Sequence, residues 1–129
     1  MSTLLEQAEL AADLLGAAAH ENGRIVCTAE SLTGGMVSEL ITSVAGSSAW
    51  FDRGYVTYQI SGKEEMIDVP AEVIAEFGVV SEPVAEAMAR GALACSHADL
   101  SVALTWVAGP FGGTAQTPVG TVCIGWAER

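Results

Sequence analysis

The spacing of apolar positions divides the chain into short alternating segments. Leu4, Leu5, Ala8, Ala11, Ala12, Leu15 and Ala19 recur at three- and four-residue steps with acids between them. That period predicts a helix over residues 3–20, stopped by Asn22-Gly23. Residues 24–28 are a short apolar run and predict a buried strand. Helical spacing returns over 34–44, with Met36, Val37, Leu40, Ile41 and Val44 on one side, and "AGSS" ends it. "WFDRGYVTYQ" is rich in aromatic and β-branched residues, as strands are. Short helices are predicted over 62–67 and, after Pro70, over 70–77. Ser81 is placed to cap a helix from about 82 to 97, with Pro83 in its first turn. "LSVALTWVA" is apolar almost throughout, the pattern of a central strand covered on both faces. "GPFGGTAQTPVG" is a loop, and "TVCIGWA" is a last strand. Helices alternating with apolar strands predict one α/β domain built on a layered sheet.

Composition sharpens this picture. Half of the 129 residues are hydrophobic, enough for a core. The run "VVSEPVAEAMARGALACS" is broken by Glu82, Glu86 and Arg90, so no segment suits a bilayer. The first fifteen residues carry Glu6, Glu9 and Asp13 and no basic stretch, unlike a signal peptide. A cytoplasmic location is the simplest expectation. Sixteen acids face five bases, for a net charge of −11. Such a surface repels phosphate backbones and anionic lipids, so neither nucleic acid nor membrane is an expected partner. Cys27, Cys95 and Cys123 lack the spacing of a zinc site and are expected to be buried, reduced thiols. His20 and His97 fall near predicted helix ends, where a cation complements the dipole. Lys63 is the only lysine.

Two constellations could carry chemistry. In "TAESLTGG", residues 28–35, Ser31 stands where a strand turns into a helix, beside Thr33, Gly34 and Gly35. Glycines permit positive φ, and a helix N-terminus offers unpaired N–H groups to an anion or oxyanion. A serine nucleophile needs a base. Lys63 is the natural candidate if burial lowers its pKa, with Tyr58 near enough in sequence to relay a proton. A plain Ser/Thr helix cap with glycines for the turn would give the same pattern. Glu30 fits a local anchor of backbone N–H groups better than an acid catalyst. The second constellation is "TWVAGPFGGT", residues 105–114, where a strand enters a loop with Gly109, Gly112, Gly113 and Thr114. Ligands collect beyond the carboxyl ends of strands in open α/β sheets, and such a loop can cradle phosphate. The substrate-facing set is then Glu30, Thr33, Gly34, Gly35, Thr105, Gly109, Gly112, Gly113 and Thr114.

With these residues in place, the chain resembles the C-terminal domain of the competence/damage-inducible protein CinA, a family that includes nicotinamide-nucleotide amidases. "TAESLTGG", "GSSAWFDRGYVTY", "GVVSEPVAEAMA" and "AGPFGGTAQTPVGTV" carry the resemblance in that order, from about residue 3 to 126. It implies one three-layer α/β/α domain over 1–129 with a mixed, mostly parallel sheet. It implies hydrolysis of the carboxamide of nicotinamide mononucleotide to nicotinate mononucleotide and ammonia, without metal or cofactor. Ser31, Lys63 and Tyr58 become nucleophile, base and relay, and Thr105 joins the site. The chain departs from the pattern at Ile60, usually Asn, and at Trp106 and Phe111, usually glycine. It also ends at Arg129, where relatives continue into a strand and helix carrying arginine. Trp106 and Phe111 are expected to narrow the pocket. An altered or inactive binding module, or an amidase for another substrate, therefore stands beside the amidase. The sheet edge left after the last strand is a place for a second copy to pair.

Overall fold

A computed structural model describes residues 1–129. Its elements are α1 (Leu4–Glu21), β1 (Val26–Glu30), α2 (Met36–Thr42), β2 (Phe51–Val56), α3 (Ile60–Ile67), α4 (Ala71–Phe77), α5 (Glu82–Ala94), β3 (Leu100–Trp106) and β4 (Val122–Glu128). The strands form one sheet in the order β2-β1-β3-β4. β1 runs parallel to β2 and β3, and β4 runs antiparallel to β3. Alternate residues of β1 point to opposite faces, and the two faces carry separate cores. Cys27 and Ala29, with Ala103 of β3, pack against Ile67, Val84, Met88 and Ala92 of α3 and α5. Val26 packs with Ala19, Ile41 and Trp50 on the side of α1 and α2. The result is the expected α/β/α sandwich with a mixed, mostly parallel sheet. Met88 and Val84 are fully buried, each contributing about 1.5–3 kcal/mol by leaving water.

Local chemistry explains most boundaries. Thr3 and Glu6 form a reciprocal capping box at the start of α1. The Ser81 hydroxyl accepts from the Val84 N–H and opens α5. Four expectations are corrected. α2 begins at Met36 rather than residue 34, because Gly34 and Gly35 hold φ of 64° and 108° and cannot be helical. The buried stripe of α1 is Ala12, Gly16 and Ala19, while Leu4 and Leu5 are exposed. Gly16 turns that stripe inward: an added Cβ would stand 2.6 Å from the Trp50 ring. β3 is not covered equally on both faces. Ser101, Ala103 and Thr105 are buried against α5, and the alternate residues are only half-buried. Of the three thiols, Cys27 alone is buried; Cys95 and Cys123 are partly exposed.

The opposite face of β3 and β4 stays open. Val102, Leu104 and Trp106 stand directly across from Trp126, Ile124 and Val122, and these three β4 residues are exposed. No helix is long and apolar enough to cross a membrane.

Candidate active site at the strand ends

β1 ends at Glu30, and its parallel neighbours end beside it: Glu30 pairs with Val56 of β2 and with Leu104 of β3. Three carboxyl ends therefore converge where the chain leaves β1 for α2 and β2 for α3. Ser31 is the first residue past that edge and is 7% exposed. The chain after β2 is held against it, because the Thr57 N–H donates to the Glu30 carbonyl at 2.8 Å. α3 then starts immediately and carries Lys63 back over the strand ends. Gly91 of α5 lets α3 settle this deeply: a Cβ there would lie 1.8 Å from the Ile67 carbonyl oxygen.

Lys63 is completely buried. Its Nζ lies 3.1 Å from Ser31 Oγ, 2.6 Å from the Thr57 carbonyl oxygen and 3.2 Å from the Tyr58 carbonyl oxygen. None of the protein's three ion pairs involves it. Burial without a carboxylate partner disfavours the ammonium and lowers its pKa from the ordinary lysine value. A neutral amine has two N–H donors and one lone pair. In the structure Nζ donates to Ser31 Oγ and to both carbonyls; once it is neutral, the carbonyls keep its two donors and the lone pair faces the Ser31 hydroxyl.

Glu30 is also buried, at 1% exposure. Its carboxylate accepts from Thr33 Oγ1 at 2.7 Å, the Val37 N–H at 2.8 Å, the Ser38 N–H at 2.9 Å and Ser38 Oγ at 2.7 Å. Burial alone would raise its pKa, yet these four donors together outweigh it and hold the carboxyl below the usual range. This corrects the expectation of an open helix N-terminus for an anion, because the protein's own carboxylate already fills that of α2. Nor is Ser31 a helix cap: the residue at that position is Gly35, which has no side chain to bond with. Within the turn, the Gly34 N–H donates to the Ser31 carbonyl and the Met36 N–H to the Thr33 carbonyl. The amides of Leu32, Thr33 and Gly35, in the same turn as Ser31, have no protein acceptor.

The other residues read from the sequence are distributed around this centre. The Tyr58 phenol is 61% exposed and has no partner, so its main chain rather than its hydroxyl meets Lys63. Ile60 opens α3 and is 44% exposed. Thr105 is buried near the end of β3, one residue past Leu104, which pairs with Glu30, and its hydroxyl donates to the Val79 carbonyl. Gly109, Gly112, Gly113 and Thr114 lie in the exposed loop beyond β3. There the Thr114 N–H donates to the Thr117 carbonyl, and Thr114 Oγ1 accepts from the Thr117 N–H. Val79, Val107, Gly112, Thr114 and Thr117 line a cleft of about 340 Å³ that adjoins Thr105 through Val79. The larger groove of about 440 Å³ between α4 and α5 holds no nucleophile. Trp106 alternates with Thr105 along β3 and so faces the opposite side of the sheet from it. The Phe111 ring is 87% exposed. The expected narrowing by these two rings is not seen, because one points to the other face and the other points into solvent. Sequence reasoning missed the Thr57 carbonyl: a main-chain acceptor leaves no side-chain signal.

The protein is thus an α/β/α domain of the class that sets a buried serine–lysine pair at the carboxyl ends of a mostly parallel sheet. The family model described as the CinA C-terminal domain matches residues 8–129, and the chain belongs to that family. It is 50% identical over 113 residues to the nicotinamide-nucleotide amidohydrolase PncC of Escherichia coli, covering 88% of this chain and 68% of that protein. It is 52% identical over 109 residues to a putative competence-damage inducible protein of Symbiobacterium thermophilum, covering 84% of this chain but 26% of that longer protein. The competence/damage inducible protein CihA of Agrobacterium tumefaciens superposes with a TM-score of 0.93 at 43% identity, over all of this chain and 78% of that one.

Proposed function

We propose that the chain is a cytoplasmic amide hydrolase that uses Ser31 as nucleophile and Lys63 as base, with nicotinamide mononucleotide as substrate. The observation that carries the proposal is a buried lysine, without an ion pair, 3.1 Å from a serine hydroxyl. Ser31 Oγ attacks the carboxamide carbon as its proton passes to Lys63 Nζ. The Thr57 and Tyr58 carbonyls hold the resulting ammonium. The free amides of Leu32, Thr33 and Gly35 are the candidate donors to the oxyanion. As the tetrahedral adduct collapses, Lys63 returns its proton to the departing nitrogen, and ammonia leaves. Water then attacks the acyl-serine, giving up a proton to Lys63, and nicotinate mononucleotide is released with Ser31 restored. Support for the substrate comes from the names of relatives about 50% identical to this chain. The nucleotide lies along the cleft beside Thr105, with its phosphate toward the amides of Gly112 and Gly113, which have no protein acceptor.

The test is ammonia release from nicotinamide mononucleotide, nicotinamide riboside and nicotinamide, by wild type and by Ser31→Ala and Lys63→Met. Turnover of the nucleotide that vanishes in both variants, with thermal midpoints showing folded protein, is the expected result. Wild-type rates in Ser31→Ala would remove the nucleophile and the mechanism with it.

A further inference from the structure

The network around Glu30 is more elaborate than capping a seven-residue helix requires. A serine or aspartate cap is not open to position 35, whose φ of 108° strains any side chain. Gly35 stands there instead, and the acceptor comes from the last residue of β1. Three elements contribute to its seat. Ser38 of α2 donates twice, through N–H and Oγ. Thr28 of β1 lies 2.8 Å from Ser38 Oγ. Gly54 of β2 leaves the space, since a Cβ there would stand 2.3 Å from Ser38 Oγ and 2.7 Å from Thr28 Oγ1. Thr33 Oγ1, inside the turn itself, donates to the same carboxylate. One side chain thus ties the strand before Ser31, the turn that contains it and the helix after it. Its own main-chain carbonyl also anchors Thr57, whose carbonyl holds Lys63.

We infer that Glu30 is a positioning residue. It touches no reacting atom, and it sets Ser31 Oγ against Lys63 Nζ by bonding the two sides of the turn together. The free amides of Leu32, Thr33 and Gly35 keep their orientation for the same reason. The inference rests on Ser31 being a nucleophile, and it assigns Glu30 to alignment rather than to substrate binding. Alignment errors of about 1 Å cost on the order of 100-fold in rate, while leaving ground-state binding largely intact.

The experiment compares wild type with Glu30→Gln, which replaces one accepting oxygen by a donor that faces donors. Two rates are measured in protein shown to be folded by circular dichroism. One is ammonia release, separated into kcat and KM; the other is phosphonylation of Ser31 by a fluorophosphonate probe, followed by mass spectrometry. The expected result is a parallel fall of about 10–100-fold in kcat and in the phosphonylation rate, with KM within about threefold of wild type. Unchanged rates in folded Glu30→Gln would overturn the inference. A raised KM with kcat intact would also overturn it and make Glu30 a binding residue. If Glu30→Gln does not fold, Thr33→Ala and Ser38→Ala keep the carboxylate and remove one side-chain donor each. Smaller parallel falls in both rates support positioning, and wild-type rates in both variants refute it. A wild type that phosphonylates at Ser31 and slows in Glu30→Gln, yet releases no ammonia, would leave the positioning role standing and remove only the proposed substrate. Inertness of Ser31 in wild type would sink both.

Discussion

At the scale of the residue, Lys63 is where burial is turned into reactivity. The unfolded chain holds this amine at about pKa 10.4, and burial lowers it in the folded protein. Between the folded and the unfolded pKa the unfolded state therefore binds more protons at this position, and stability from this group rises with pH across that window. The penalty is full below the folded pKa and disappears as pH climbs through the window up to the unfolded value. Lys63→Met removes the titration, so the midpoint of wild type relative to Lys63→Met should increase between pH 7 and pH 10. Thermal melts across that range check it, and a flat difference would mean an unshifted lysine. With one lysine in the chain, nuclear magnetic resonance of its labelled side-chain carbons reads the same pKa without overlap.

At the scale of the element, the position of α3 against α5 decides whether Lys63 reaches Ser31. Replacing glycine by alanine inside a helix ordinarily gains about 1 kcal/mol. Gly91→Ala should instead lose about 1–3 kcal/mol, because its Cβ would meet the Ile67 carbonyl at 1.8 Å and backbone must move. The displaced element is the one that carries Lys63, so kcat should fall further than stability alone explains. Denaturant unfolding and turnover of the folded fraction separate the two effects. The prediction fails if Gly91→Ala is more stable and fully active. α1 makes a useful contrast, because its capping box lies far from this junction. Thr3→Ala should cost about 1 kcal/mol of stability without altering turnover.

At the scale of the whole molecule, charge and surface apolarity set opposite demands. A net charge of −11 repels a phosphorylated substrate. The arginines are committed elsewhere: Arg24 to Glu128, Arg53 to Asp52, Arg90 to Glu86 and Arg129 to main-chain carbonyls. Screening this repulsion should raise kcat/KM for nicotinamide mononucleotide by a factor of about two or more from low to moderate salt. Nicotinamide riboside, a pyridinium cation without the phosphate, should show no such rise and instead a fall, because salt screens its attraction to the acidic protein. A fall with salt for the nucleotide would reveal a cation at the phosphate that the fold does not display. The open face of β4 works in the other direction, because Val122, Ile124 and Trp126 form an exposed apolar row on an edge strand. Such an edge pairs readily with another chain. If copies of the chain associate through this row, Trp126→Lys reduces that association as measured by light scattering while changing stability by no more than about 0.5 kcal/mol, and a wild type that scatters as a monomer removes the idea.

Periodicity and turn chemistry made the elements legible from sequence. The helical spacing of residues 3–20, Ser81 ahead of Pro83, and the apolar strand from Leu100 each act through near neighbours, which is why local pattern suffices. The pairing of Ser31 with Lys63 was legible only because both stand out, one in a glycine turn and one as a lone lysine. Other features depend on groups far apart in the chain, and packing decided them. Parallel register brings the end of β1 against Val56 and Leu104, and thereby puts the Thr57 carbonyl on Lys63. Glu30 turns inward and occupies the α2 N-terminus that sequence left open to a ligand. Strand alternation sends Trp106 to the other face from Thr105, whatever bulk the sequence suggests at the loop. The sequence by itself determined which segments are helix and strand, because those choices rest on local backbone and side-chain preferences. Only the tertiary structure decided that Lys63 is buried without a counter-charge, because solvation belongs to the assembled core and not to any stretch of chain.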